Sequence, residues 1–164
     1  MNRTEKESKF LETVEAHRAL ISKVCYMYSS GRDNFHDLYQ ETLANLWQGI
    51  DKFRGESSIS TWIYRVALNT CITYFRQNRH HDATLPLDEM YDVAEEISTR
   101  DGDLAQMYML ISQLGKLDRA IIMLWLDEKS YEEIVFITGL TRNNVASRIH
   151  PIKENLARRA EAEQ

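Results

Sequence analysis

Residues 130–156 read SYEEIVFITGLTRNNVASRIHPIKENL. The stretch divides into two short helices joined by a tight turn. Ser130 and Glu133 have the S-x-x-E spacing of a capping box, in which each satisfies a free backbone N–H at the helix start. Ile134, Ile137 and Thr138 then fall on one inward face. Gly139 sits where a helix ends in the left-handed conformation that glycine adopts cheaply. Thr141 can cap the next helix, whose exposed start carries Arg142, Asn143 and Asn144. This is helix-turn-helix grammar, with the second helix offered to a major groove. The same caps and turn also describe a plain helical hairpin, so the decision falls to the rest of the chain.

The chain has 164 residues, room for one medium domain or two small ones. Two prolines and six glycines argue against a β-rich or disordered chain. No apolar run approaches the ~20 residues of a membrane span, and MNRTEKESKF at the start lacks a signal peptide's apolar segment. The expectation is a cytoplasmic chain without direct membrane insertion. Cys25 and Cys71 have no CxxC partner and read as small buried hydrophobes.

A net charge of −5 argues at first against a nucleic-acid partner, but its distribution reverses that. Residues 82–103 hold eight acids and one base, a net of −7. Residues 1–81 hold eleven bases and nine acids, and residues 104–164 hold eight of each. The acidity is thus confined to one segment, which also contains Pro86. Residues 81–103 are read as an acidic linker between helical modules at 1–80 and 104–164. Its charge suits solvation, or repulsion of DNA until a partner arrives.

The fold expected is all-α: two small helical domains, the C-terminal one a helix-turn-helix. In the first, Phe10, Val14, His17, Ile21, Val24 and Tyr28 recur at steps of four and three, which predicts one helix with a buried stripe, ended by Gly31. His17 on that stripe reads as a satisfied core histidine. A second helix is expected from about Asn34 to Ile50, with Tyr39, Leu43, Leu46, Trp47 and Ile50 inward. Asp37, Gln40 and Glu41 lie on its opposite, polar face. A third is expected from about Ser60 to Asn78, with Ile63, Val66, Ala67, Thr70 and Tyr74 on its core side. In the second domain, Leu104 to Leu114 and Leu117 to Leu126 suit two further helices before the helix-turn-helix.

Trp62, Arg65, Asn69, Thr73 and Arg76 share the outer face of that third helix. The preceding loop adds Arg54, Ser57, Ser58, Ser60 and Thr61. Bases stack on rings, cations meet phosphates and amides read base edges, so this mixture suits single-stranded nucleic acid. A partly buried Trp62 beside a solvated arginine face is the plainer reading. Five bases against one acid over residues 52–81 favour the functional one.

DLYQETLANLW (37–47), DKFRGESSISTWIYRVALNTCITYFRQNRH (51–80) and SYEEIVFITGLTRNNVASRI (130–149) together resemble the extracytoplasmic-function (ECF) group of bacterial RNA polymerase sigma factors, in that group's order. The resemblance covers nearly the whole chain. It implies a subunit that binds core RNA polymerase and directs promoter recognition, strand opening and initiation. By similarity, Asp37, Gln40 and Glu41 dock on the polymerase, through a polar face left exposed. Arg54, Ser57, Ser58, Ser60, Thr61, Trp62, Arg65, Asn69 and Arg76 lie at the single-stranded minus-10 element. Thr141, Arg142, Asn143, Asn144, Ser147 and Arg148 meet the duplex minus-35 element. An anti-sigma factor is implied as a further partner. The chain departs from the group at His150-Pro151-Ile152-Lys153, where basic residues are usual. Pro151 lacks an N–H and crowds the Ser147 carbonyl, which predicts a kink or early end of the last helix.

No phosphate-binding glycine loop, H-E-x-x-H or nucleophile elbow is present, so neither an enzyme, a metal nor a cofactor is expected. Two other readings stay open on the residues alone. A stand-alone helix-turn-helix regulator would bind duplex DNA unaided. A helical protein-interaction adaptor would have no nucleic-acid role.

Overall fold

A computed structural model describes residues 2–74 and 102–162, with side chains from residue 105 onward in the second stretch. Residues 81–101 of the expected linker, Arg76, the end of the third helix and Leu104's side chain lie outside what is described, while Gly102 and Asp103, expected in the linker, already open a helix of the second unit. The chain divides into two compact units, Met1–Ala94 and Glu95–Gln164. Among the described residues there is helix and no strand.

The N-terminal unit contains α1 (Arg3–Ala16), α2 (Arg18–Tyr28), α3 (Arg32–Gly49), a short 3₁₀ turn (Ile50–Lys52) and α4 (Ile59–Tyr74). Helices α2, α3 and α4 pack on one another, and α1 lies against α3 and the 3₁₀ turn. Their core is Ile21, Val24, Phe35, Leu38, Leu46, Ile63, Tyr64 and Leu68, all at most 1% exposed. Cys25 and Cys71 are free thiols within it.

The single first helix expected from the apolar stripe is two helices. The chain breaks at His17, with φ −122° and ψ 23°. Its ring Nδ1 lies 2.8 Å from the Thr13 carbonyl oxygen, which can only accept, so this nitrogen carries the proton. Its own carbonyl accepts from Ile21 N–H. His17 therefore closes one helix and opens the next at a half-buried junction, and is not a core histidine. Apolar spacing at threes and fours continued across the break, which is why the pattern concealed it. No residue of α1 is buried; α2 contributes the stripe's core half. Gly31 does not end this helix either. Ser29 caps it, and Gly31, at φ 152°, opens α3 in a region that favours glycine.

The C-terminal unit contains α5 (Gly102–Ser112), α6 (Lys116–Leu126), α7 (Tyr131–Thr138) and α8 (Arg142–Ala162). Helix α8 packs against each of the other three. Leu110, Ile111, Ala120, Ile121, Ile122, Leu124, Ile134, Ile137 and Val145 form the core.

Pro151 does not end α8, which continues to Ala162. An interior proline costs a helix about 3 kcal/mol. Ile149, Ile152 and Leu156 flank it and are buried, and each fully buried side chain of this kind contributes about 1.5–3 kcal/mol. Three such side chains outweigh one lost hydrogen bond, while the proline ring itself faces solvent.

Candidate nucleic-acid interface

The helix-turn-helix is built from local capping. Ser130 Oγ accepts from Glu133 N–H at 3.1 Å, and Glu133 Oε1 accepts from Ser130 N–H at 3.2 Å. Helix α7 ends at Gly139, with φ 76° and ψ 6°, the left-handed conformation. Thr141 Oγ1 then accepts from Asn144 N–H at 3.1 Å and starts α8. Thr141, Arg142, Asn143 and Ser147 are exposed, while Asn144 and Arg148 are half-buried.

These side chains differ in how firmly they are held. Arg142 pairs with Glu132 and lies over the Tyr131 ring at 5.2 Å. Its own backbone N–H first, and Arg142 second, hold the Glu132 carboxyl below its usual range. Arg148 donates from Nε to Asn144 Oδ1 at 2.7 Å and from Nη1 to Asp118 Oδ1 at 2.8 Å. Asp118 sits in the first turn of α6. Ser147 Oγ donates to the Asn144 carbonyl at 3.1 Å. Asn143 makes no side-chain hydrogen bond among the described residues.

In the N-terminal unit the predicted loop and the start of α4 divide into internal and outward groups. Ser58 caps α4: its Oγ accepts from Thr61 N–H at 3.1 Å, and its carbonyl accepts from Trp62 N–H at 3.1 Å. Its hydroxyl also donates to Thr61 Oγ1 at 2.9 Å, and Thr61 is only 2% exposed. Arg54 is exposed; Ser57 and Ser60 are half-buried. Trp62 is half-buried, its ring 5.3 Å from that of Phe53 and tilted by 39°. A Cβ at Gly49 would meet Trp62 Cζ2 at 3.0 Å, so the indole edge rests on bare backbone at the end of α3. Arg65, Asn69 and Thr73 are exposed and follow Trp62 at steps of three and four, forming one stripe along α4.

The docking residues depart from the exposed face expected of them. Asp37, Gln40 and Glu41 are half-buried. Asp37 Oδ2 accepts from the Tyr74 hydroxyl at 2.8 Å. Burial first, and Asp37 second, push the Tyr74 phenol up to about 12. Gln40 Nε2 is buried without a hydrogen-bond partner among the described residues.

Sequence reasoning missed Tyr74 and Asp118. The apolar period puts Tyr74 on the core side of its helix, where it does lie. The usable signal was its hydroxyl, since a buried tyrosine O–H usually finds an acceptor. Asp118 gave no signal beyond an acid near a helix start, because its partner Arg148 is thirty residues away.

Comparison with known proteins bears on both units. Residues 13–81 match the family described as Sigma-70 region 2, and residues 104–156 match Sigma-70, region 4. The ECF RNA polymerase sigma-E factor of Haemophilus influenzae is 32% identical over 139 residues, covering 75% of this chain and 72% of that protein. RNA polymerase sigma factor YlaC of Bacillus subtilis is 29% identical over 139 residues, covering 78% and 80%. Among solved structures, the sigma factor RpoE in complex with the anti-sigma factor NepR from Bartonella quintana has a similar fold. Its TM-score is 0.65 at 20% identity, over 94% of this chain and 98% of that one.

Proposed function

The chain belongs to the ECF group of RNA polymerase sigma factors, and on that premise we propose how its residues divide the work of promoter recognition. Residues 1–80 dock on core RNA polymerase and engage the minus-10 element, residues 81–103 link, and residues 104–164 read the minus-35 element. The chain works in the cytoplasm as an initiation factor and not as an enzyme. Among the described residues, no helix is long and apolar enough to cross a membrane.

One observation carries the reading. The start of α8 is a capped, polar helix end with Arg142, Asn143 and Ser147 exposed, held in a helix-turn-helix by the left-handed Gly139. Such an end suits a major groove, where asparagine and arginine can each make two bonds to a base edge, worth about 1–3 kcal/mol of discrimination. In the N-terminal unit, the outward stripe of Arg65 and Asn69, with Arg54 in the loop, suits the opened minus-10 strand. Ser58 and Thr61 serve there by fixing the loop to α4. Asp37, Gln40 and Glu41 form the polymerase face, and Tyr74 sets the position of the Asp37 carboxylate. An anti-sigma factor is proposed as the regulatory partner, supported by the fold shared with the RpoE–NepR complex.

The test is binding to purified core RNA polymerase, followed by fluorescence anisotropy. The native chain should bind tightly, and a triple Asp37→Ala, Gln40→Ala, Glu41→Ala variant of unchanged helicity should not. Binding that survives the triple substitution would move the docking face elsewhere. Operator binding without polymerase would favour a stand-alone regulator.

A further inference from the structure

We propose that Asp118 is a positioning residue for minus-35 recognition, acting through Arg148 to fix which edge of Asn144 faces the groove. The inference rests on α8 being the minus-35 helix. Arg148 stands between two acceptors, Asp118 Oδ1 at 2.8 Å and Asn144 Oδ1 at 2.7 Å. A guanidinium has five donors and no acceptor. The Asn144 amide must therefore turn its oxygen to Arg148, which leaves its NH₂ for whatever approaches the helix start. The Asp118 carboxylate supplies the anchor, because a charge-assisted bond is roughly twice as strong as a neutral one. The two side chains are 38% and 37% exposed, so solvent only partly screens them.

The two neighbouring asparagines thereby acquire different chemistries. Asn143 is exposed and keeps both amide functions, the pair needed to bond adenine N6 and N7 together. Asn144 has its oxygen engaged and offers donors, which suit acceptor edges such as guanine O6 and N7 or thymine O4. The contrast is set by a carboxylate on another helix, α6.

The experiment uses the full chain assembled with core polymerase. Promoter fragments carrying each base pair at every minus-35 position compete for binding. Asp118→Ala should relax, by about tenfold, the preference at the position that Asn144→Ala also relaxes. It should leave intact the position that Asn143→Ala relaxes. The double Asp118→Ala, Asn144→Ala variant should be no worse than Asn144→Ala alone, since residues acting through one contact are non-additive. Arg148→Lys keeps the charge but loses the fork, so it should give the same relaxation with residue 118 intact. Weaker binding to all sequences alike, with every preference preserved, would overturn the positioning role and leave the sigma reading standing. A native holoenzyme without any minus-35 preference would overturn the reading of α8, and this proposal with it.

Discussion

The two polar faces of this molecule differ in the balance of local and tertiary contacts that hold them, although Arg148 of the C-terminal face also reaches across its unit to Asp118. In the C-terminal unit, the start of α8 is set by neighbours in sequence: Thr141 caps it, Gly139 turns into it, and Ser130 with Glu133 starts the helix before it. In the N-terminal unit, polar side chains are fixed across the fold. Asn45 Nδ2 donates to Thr70 Oγ1 at 2.8 Å, joining α3 to α4, and the Tyr74 hydroxyl joins Asp37 over a similar gap. Local capping leaves side chains outward for a partner. Tertiary polar bonding uses them within the unit, so residue type alone is a poorer guide to function there.

The largest expected effects test whether apolar burial or polar bonding carries the N-terminal unit. Leu38→Ala and Ile121→Ala, one in each core, should each lose about 2–5 kcal/mol in urea denaturation. Asn45→Ala should cost nearer 1 kcal/mol, the net worth of one hydrogen bond. A cost equal to that of Leu38→Ala would make the polar bonds dominant.

Alkaline pH probes the same unit next. Tyr39 and Tyr74 are both pushed from 10.0 up to about 12, chiefly by burial. The folded state therefore keeps a proton that the unfolded chain releases. This contribution is full below about pH 10 and is lost as pH rises towards about 12. Burial pushes Tyr108 of the C-terminal unit in the same sense. The denaturation midpoint should fall over that range, and a Tyr39→Phe, Tyr74→Phe variant should flatten the fall.

Caps give a smaller and more even effect. Ser58→Ala and Ser130→Ala should each cost about 1 kcal/mol, measured by thermal unfolding. A near-zero cost for Ser58 would free that hydroxyl for a nucleic-acid role. Smallest of all is a difference in salt dependence of promoter binding. Arg54→Ala should lower the log–log slope by about 0.7–0.9, one phosphate contact. Arg148→Ala should lower it by less, because Asp118 already neutralises that cation.

Much of the C-terminal unit was legible from its sequence because its signals are short-range. The Ser130–Glu133 box and the left-handed Gly139 occur as the spacing required. The break at His17 was not legible, since an apolar period of three and four passes through it unchanged. Nor was the fate of Pro151, because the packing that holds α8 together comes from α5, α6 and α7. For the candidate sites, periodicity found the outward stripe of α4. It could not separate Thr61, which is buried, from Ser60 beside it, which is half-buried. The half-burial of Asp37 was invisible for the same reason: Tyr74, its partner, lies on another helix.

The contact between Gly49 and Trp62 has a consequence for which sequences can occupy this fold. Position 49 is an ordinary helix end, with φ −102° and ψ −12°, so its backbone would accept any residue but proline. The indole restricts that freedom, because even one added carbon lands 3.0 Å from Cζ2 and the ring must give by a few tenths of an ångström to admit it. The same ring meets that of Phe53, with centroids 5.3 Å apart. A side chain at position 49 is therefore coupled to the residue at position 62. A smaller residue at 62 would relieve that contact, so the two positions share one space beside the loop proposed to meet the opened strand.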